Sequence, residues 1–332
     1  MNKILALFLC LGIALSCQTC KNDSGPSGTN TASDTVVPPT LNIPRFNRDS
    51  AYAFIQKQVD FGPRVPGTAA QIACKDWMAA KLGGFGAKVS VQEFQTQVYT
   101  GETFTGYNVF AQVNPESTNR ILFGAHWDSR PFADSPKSTE RQDEPILGAD
   151  DGASGVGILM EMVRLLVQDT TLDIGVDIVL FDLEDYGNKD GGGFALGSKY
   201  WAGNLPYTGG VKPRFGILLD MVGSKNPRFA KERHSLAYSP GIVAKVWNLA
   251  GYMGYGNYFV NQAGMQIDDD HLPVNQIAKI PMIDIINQPA GGGFGAYWHT
   301  HDDDMDIIDK STIRSIGKLM MEVIYREDAG IF

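Results

Sequence analysis

The sequence predicts an α/β fold, a single domain with a mostly parallel, twisted central sheet and helices on both faces. Three observations carry this. Apolar runs of strand length recur as ILFGAHWD, DIVLFDLED and FGILLD, and runs of four to eight apolar residues read as strands buried on both faces. Stretches with helical periodicity separate them, the alternation of a parallel sheet. These runs end in acid or histidine, as does GAYWHTHDDD near the C-terminus, and ligands of open α/β sheets bind at the carboxyl ends of strands.

The elements follow in order. Asp49 to Val59 reads as a helix, with Asn47 or Asp49 as its cap and Ala53, Ile55 and Val59 among its apolar positions. FGPRVPGT is a turn fixed by Pro and Gly. Ala69 to Leu82 is helical and is expected to close at Gly83-Gly84. Lys88 to Phe94 alternates as an edge strand, and Tyr107 to Val113 reads as another strand. Ile121 to Ala125 is a buried strand, followed by an amphipathic helix from Ser154 to Val167. Ile178 to Asp182 and Phe215 to Leu219 are buried strands. Pro240 to Met253 is a helix, Pro281 to Ile286 a strand and Ser311 to Tyr325 the closing helix.

Residues 1–16 begin with Lys3 and an apolar run too short to span a bilayer, the pattern of a signal peptide. Cys17 follows Ala14-Leu15-Ser16, so either lipidation at Cys17 or plain cleavage nearby is open. Residues 17–45, rich in Ser, Thr, Asn, Gly and Pro, read as a disordered tether to a catalytic domain at 46–332. An exported protein in the periplasm, held to a membrane only through a lipid at Cys17, is the expectation. The formal charge of −9 argues against a nucleic-acid partner. Cys74 stands alone in the folded part, so neither a disulfide framework nor a CxxC zinc ribbon is expected there.

The strand ends gather His126, Asp128, Glu184, Asp185, Asp220 and, from a final loop, His299. That is the ligand inventory of a metal ion, zinc above all. Adjacent acids such as Glu184-Asp185 at a dry strand end need a positive partner; in a metal site one ligates while the other stays free for proton transfer. Asp150, before the helix, suits a capping role. Of His299 and His301, one is expected to ligate and the other, His301 beside three aspartates, to be solvated. His271 suits a loop-shaping role as well as a ligand role, and His234 reads as a surface residue. The loop from Asn188 to Phe194 has no readable role beyond flexibility.

AHWDS, GADDGASG, FDLEDYG, LLDMVG, DDHLP and WHTHDD occur in an order that resembles the zinc aminopeptidase-like family. Within it the chain is most similar to the glutaminyl-peptide cyclotransferases, over nearly the whole mature domain. The resemblance implies a zinc exopeptidase-like α/β sandwich with one Zn2+ per chain held by Asp151, Asp185 and His299. Aspartate at 185 departs from the commoner glutamate. The resemblance also makes Glu184 the general acid/base, Asp220 and Asp269 a hydrogen-bond network, and Trp298 the indole beside the substrate. His126 and Asp128 match an HxD pair whose histidine binds a second zinc only in the aminopeptidases.

The implied activity is conversion of N-terminal glutamine of peptides and proteins to pyroglutamate, with release of ammonia. A partly dry pocket lined by Trp298, Phe294 or Trp127 would favour it. The alternatives are a di-zinc aminopeptidase, using His126, Asp151 and Asp220 for a second ion, and a non-catalytic peptide-binding domain.

Overall fold

The computed structural model describes residues 41–188 and 192–332; the leader, Cys17 and nearly all of the tether expected from the sequence lie outside them. The helix α1 (Arg48–Val59) starts at Asn47, whose side chain accepts from the amides of Asp49 and Ser50. The helix α2 (Ala69–Phe85) runs through Gly83-Gly84, where the sequence suggested a stop. It ends instead at Gly86, whose φ of 114° gives the left-handed cap.

The edge hairpin β1 (Lys88–Gln97) and β2 (Thr103–Val113) leads into β3 (Arg120–His126), α3 (Ala153–Leu166) and β4 (Gly175–Phe181). Then come α4 (Leu196–Gly203), β5 (Gly216–Asp220), β6 (Phe229–Lys231), α5 (Arg233–Tyr238), α6 (Pro240–Tyr252) and β7 (Phe259–Ala263). The short α7 (His271–Pro273) passes into a π-turn, followed by β8 (Met282–Ile286) and α8 (Lys310–Asp328). The described residues form one compact unit.

The six-stranded sheet has the order β1-β2-β4-β3-β5-β8. Pairings β4–β3, β3–β5 and β5–β8 are parallel, while β1–β2 and β2–β4 are antiparallel. The sheet is therefore mixed, with a parallel half that bears the acid-ended runs and an antiparallel edge. The four short elements α4, β6, α5 and β7 were not legible in the sequence, because none is long enough to show a period.

Every residue of β3, β4, β5 and β8 is buried. Successive side chains point to opposite faces, which splits the apolar runs between two cores. Ile121, Phe123, Ile217, Leu219, Ile283 and Ile285 pack with α1, α3 and α8, whereas Leu122, Leu218 and Met282 pack with Trp201 of α4. Truncating one such side chain, Phe123→Ala for example, costs ~3–5 kcal/mol.

The approach of α3 to the sheet depends on small residues. A Cβ at Gly155 would lie 2.2 Å from the Leu219 carbonyl oxygen. Gly152 holds a φ of 95°, and a Cβ there would lie 3.0 Å from the His126 ring. The small residues of GADDGASG thus let the start of α3 reach the ends of β3 and β5, where the acids collect.

Candidate active site

Strand direction brings the singled-out residues to one place. His126 ends β3, Asp220 ends β5, and Glu184-Asp185 follow β4. Asp150 and Asp151 precede α3, and the loop after β8 returns as Trp298 and His299. The backbone is forced at three of these points. Leu183, Met221 and His299 have φ values of 55°, 46° and 53°, a left-handed conformation that non-glycine residues adopt at a cost, most often at functional sites.

His299 Nε2 lies 3.2 Å from Asp185 Oδ1 and 3.7 Å from Asp151 Oδ2. The oxygens Asp151 Oδ2 and Asp185 Oδ2 are buried and have no hydrogen-bond partner. Two orphaned carboxylate oxygens converging with an imidazole nitrogen suit the donor set of zinc. Ligand atoms of Asp151, Asp185 and His299 all fall within 4.8 Å of one another, and those of His126, Asp151 and Asp220 do so as well. The geometry brings together both sets that the sequence left open.

His126 is already engaged in the second set. Its Nε2 is 3.0 Å from Asp151 and 3.3 Å from Asp220. Burial opposes charge on its ring, but hydrogen bonds to Asp128, Asp151 and Asp220 outweigh that and raise its pKa well above the imidazole range. Asp128 also accepts the amides of Glu184 and Asp185, at 3.1 and 3.0 Å. It thereby fixes the loop that carries the acid pair.

Glu184, Asp220 and Asp269 line one cavity of about 530 Å³ with Asp151, Asp185 and His299. Phe294 and Trp298 form an apolar wall, with rings 4.6 Å apart, and the Trp298 indole stacks on His299 at 3.7 Å. Burial and the charges of Asp269, Asp185 and Asp270 lift Glu184 well above the usual carboxylate range. Burial also lifts Asp220 to about 6 and, with the charge of Asp220, Asp269 to about 7. These are carboxyls able to hold a proton near neutral pH.

Behind the cavity, Asp269, His271 and Asp284 converge, and His271 Nε2 sits 3.2 Å from buried Glu232. Burial and neighbouring carboxylates raise Asp270 and Asp284 well above the usual carboxylate range.

Several expectations need correction. Trp127 does not line the cavity: it is fully buried in the main core, and its Nε1 donates to the Tyr107 carbonyl at 3.1 Å. Its side chain joins the core that holds Phe123 and Ala125, not the one that holds Leu122. Asp150 does not cap α3, whose N-cap is Gly152 without a side-chain bond. Its carboxylate instead accepts the Gly223 amide and the Tyr297 hydroxyl, at 2.6 and 2.5 Å. Within the stretch from Asn188 to Phe194, which showed no role in the sequence, Asn188, Gly192 and Phe194 form part of the cavity wall. His234 is tied to Asp268 at 3.1 Å, and His301 lies at the surface on the Arg141 carbonyl.

Sequence reasoning missed Asp303, which accepts the amides of Asp150 and Asp151, and the pair Arg130 and Asp134, which grips His299. HTHDDD and SRPFAD held these acids in plain view, but nothing local says which acid returns to the site.

The solved structures most like this chain include the glutaminyl cyclase of Bacteroides thetaiotaomicron bound to N-acetylhistamine. It is 46% identical over 86% of this chain and 99% of that one, with a TM-score of 0.82. A leucine aminopeptidase precursor from the same organism is 45% identical over 86% and 99%, with a TM-score of 0.81. Among curated relatives, the glutaminyl-peptide cyclotransferase of Gloydius blomhoffii is 24% identical over 294 residues, 77% of this chain and 75% of its own. The model of peptidase family M28 matches residues 108–324, a stretch that contains every member of both ligand sets, and the chain belongs to that family.

Proposed function

We propose that the chain acts as a glutaminyl-peptide cyclotransferase on peptides and proteins with N-terminal glutamine, using one zinc ion held by Asp151, Asp185 and His299. One observation carries the reading: a single cavity brings that donor set together with Glu184 and the apolar wall of Phe294 and Trp298. Likeness to glutaminyl cyclases in sequence and structure supports the same activity.

Zinc, when bound, supplies Lewis-acid polarisation of the substrate's γ-carbonyl. The chain's own residues do the rest. Six carboxyl side chains line the cavity, and no lysine or arginine does so among the described residues, so a substrate's N-terminal ammonium is drawn in and retained. The α-nitrogen, once its ammonium proton has passed to solvent, attacks the γ-carbon as the neutral amine, and Glu184 takes the proton this nitrogen sheds as the bond forms. As the C–N bond of the new ring forms, the C–N bond to the amide nitrogen breaks, and Glu184 delivers the proton to departing ammonia. Its raised pKa suits both transfers. The neighbouring Asp269 carboxylate helps to hold that pKa up, and Asp269 interacts in turn with Asp220. The wall of Phe294 and Trp298 keeps water from the γ-carbon and holds the short side chain folded for attack. Orientation is most of the work in a ring closure that is already intramolecular.

A di-zinc aminopeptidase is the second reading, because His126, Asp151 and Asp220 also converge. One orphaned oxygen, Asp185 Oδ2, belongs to the Asp151–Asp185–His299 set alone, whereas Asp151 Oδ2 is shared by both sets. Purified protein incubated with a glutaminyl and a leucyl peptide is expected to form pyroglutamate and ammonia, with near one zinc per chain. Release of leucine with two zinc ions per chain would overturn the assignment. Glu184→Gln is expected to cut turnover by ~10²–10⁴ while leaving zinc bound. Retention of cyclisation by that variant would remove Glu184 as the proton carrier.

Export to the periplasm is proposed from Lys3 and the apolar run before Cys17. A Cys17→Ser variant that stays with the membrane fraction would rule out a lipid anchor at that residue.

A further inference from the structure

We propose that Asp134, clamped by Arg130, is a positioning residue of the metal centre. It would fix the tautomer and ring plane of His299 and, through Arg130, tie His299 to the loop that carries Asp185. This rests on the reading of His299 and Asp185 as ligands.

The segment from Arg130 to Ser135 grips His299 at two points. Asp134 Oδ1 lies 3.2 Å from His299 Nδ1, and the Ser135 amide donates to the His299 carbonyl oxygen at 3.2 Å. Both contacts are made to a residue in the left-handed region, a costly conformation that persists only where its surroundings enforce it. A carboxylate at Nδ1 holds the proton on that nitrogen. The lone pair then stays on Nε2, which faces Asp185 and Asp151. Carboxylates that accept from the far nitrogen of a ligating histidine set its tautomer and raise its basicity.

Arg130 makes the grip rigid. Nε and Nη2 hold the two oxygens of Asp134 at 3.1 and 2.6 Å, a paired geometry specific to a guanidinium. Nη1 donates to the carbonyls of Asp185 and Gly187, both at 2.7 Å. Arg130 is 3% exposed, whereas Asp134 is 45% exposed. An acid so exposed would otherwise be free to swing into water. One planar group therefore spans two ligand-bearing loops that are far apart in the sequence.

The test measures zinc affinity by competition with a chromophoric chelator, and the absorption spectrum of the cobalt(II)-loaded protein. Asp134→Ala is expected to weaken zinc binding ~10–100-fold and to shift the cobalt bands, because the His299 ring is no longer held. Asp134→Asn keeps an acceptor without the charge and is expected to lose less. Arg130→Lys is expected to follow Asp134→Ala, since an ammonium cannot serve two carboxylate oxygens and two carbonyls at once. The metal-free melting temperature of Asp134→Asn is expected to match wild type, which separates positioning from a general folding role. His299→Ala is the reference. If it binds zinc as tightly as wild type, the ligand reading fails. If His299→Ala loses zinc while Asp134→Ala and Arg130→Lys keep wild-type affinity and spectrum, the positioning role is overturned.

Discussion

The two ends of the parallel sheet treat buried charge in opposite ways. At the amino ends of β3 and β4, Arg120 and Asp177 are both fully buried and paired side chain to side chain. Arg120 also donates to the Asn114 and Ser117 carbonyls, and Asp177 accepts from Gln112 and the Tyr207 hydroxyl. Every donor there has an acceptor. At the carboxyl ends, Asp151, Glu184, Asp185, Asp220, Asp269, Asp270 and Asp284 crowd together, and several of their oxygens face no donor at all. The first end is closed electrostatically. The second needs a cation or protons from outside the chain, and a fold keeps such a debt where chemistry is done.

The sharpest way to break this contrast is to open the closed end. Arg120→Met leaves Asp177 as a buried acid without its cation and is expected to cost ~3–5 kcal/mol of stability, read from denaturant midpoints. Zinc content of the folded fraction should not change. A loss below ~1 kcal/mol would mean that the pair contributes no more than a surface ion pair.

A second prediction concerns the open end, in metal-free protein. Asp269 has a folded pKa of about 7 against an ordinary value of 3.8. Between those values the folded state binds the proton that the unfolded state has released. Stability therefore falls as pH rises from 3.8 to about 7, by up to ~1.4 kcal/mol per pH unit for one proton. Asp269→Asn is expected to flatten that slope. A slope unchanged in the variant would show that Asp269 is ionised in the folded state.

Much of this was legible in the sequence, for a physical reason. A strand buried on both faces is apolar along most of its length, Asp177 of β4 and Asp284 of β8 being exceptions, so its end shows where polarity begins, as at His126, Asp182 and Asp220. The acidic strand ends could be picked out because no apolar core tolerates them without a partner, while the choice of Asp151 and Asp185 among them rested on the family resemblance. Other features depend on contacts that no local pattern records. Asp134, held by Arg130, meets His299 across more than 160 residues of chain. Tyr297 takes Asp150 away from α3. The helix α2 passes through two glycines because the end of a helix depends on which glycine can turn left-handed, not on which comes first.

Trp127 gives the finest test, because it stands at the open end without belonging to it. A tryptophan next to His126 and Asp128 looks like a pocket wall, yet period-two alternation sends the residue after His126 to the opposite face. Its indole is buried among the core residues, and its N–H is spent on the Tyr107 carbonyl. Trp127→Phe therefore removes one hydrogen bond and leaves a small cavity, an expected cost of ~1–3 kcal/mol, with KM for a glutaminyl peptide unchanged. Trp298→Ala is expected to do the reverse: little loss of stability, and a KM raised about tenfold, equivalent to ~1.4 kcal/mol of binding. If Trp127→Phe moved KM and spared stability, the cavity would extend behind His126. The face of β3, more than its carboxyl end, would then decide which side chains reach the substrate.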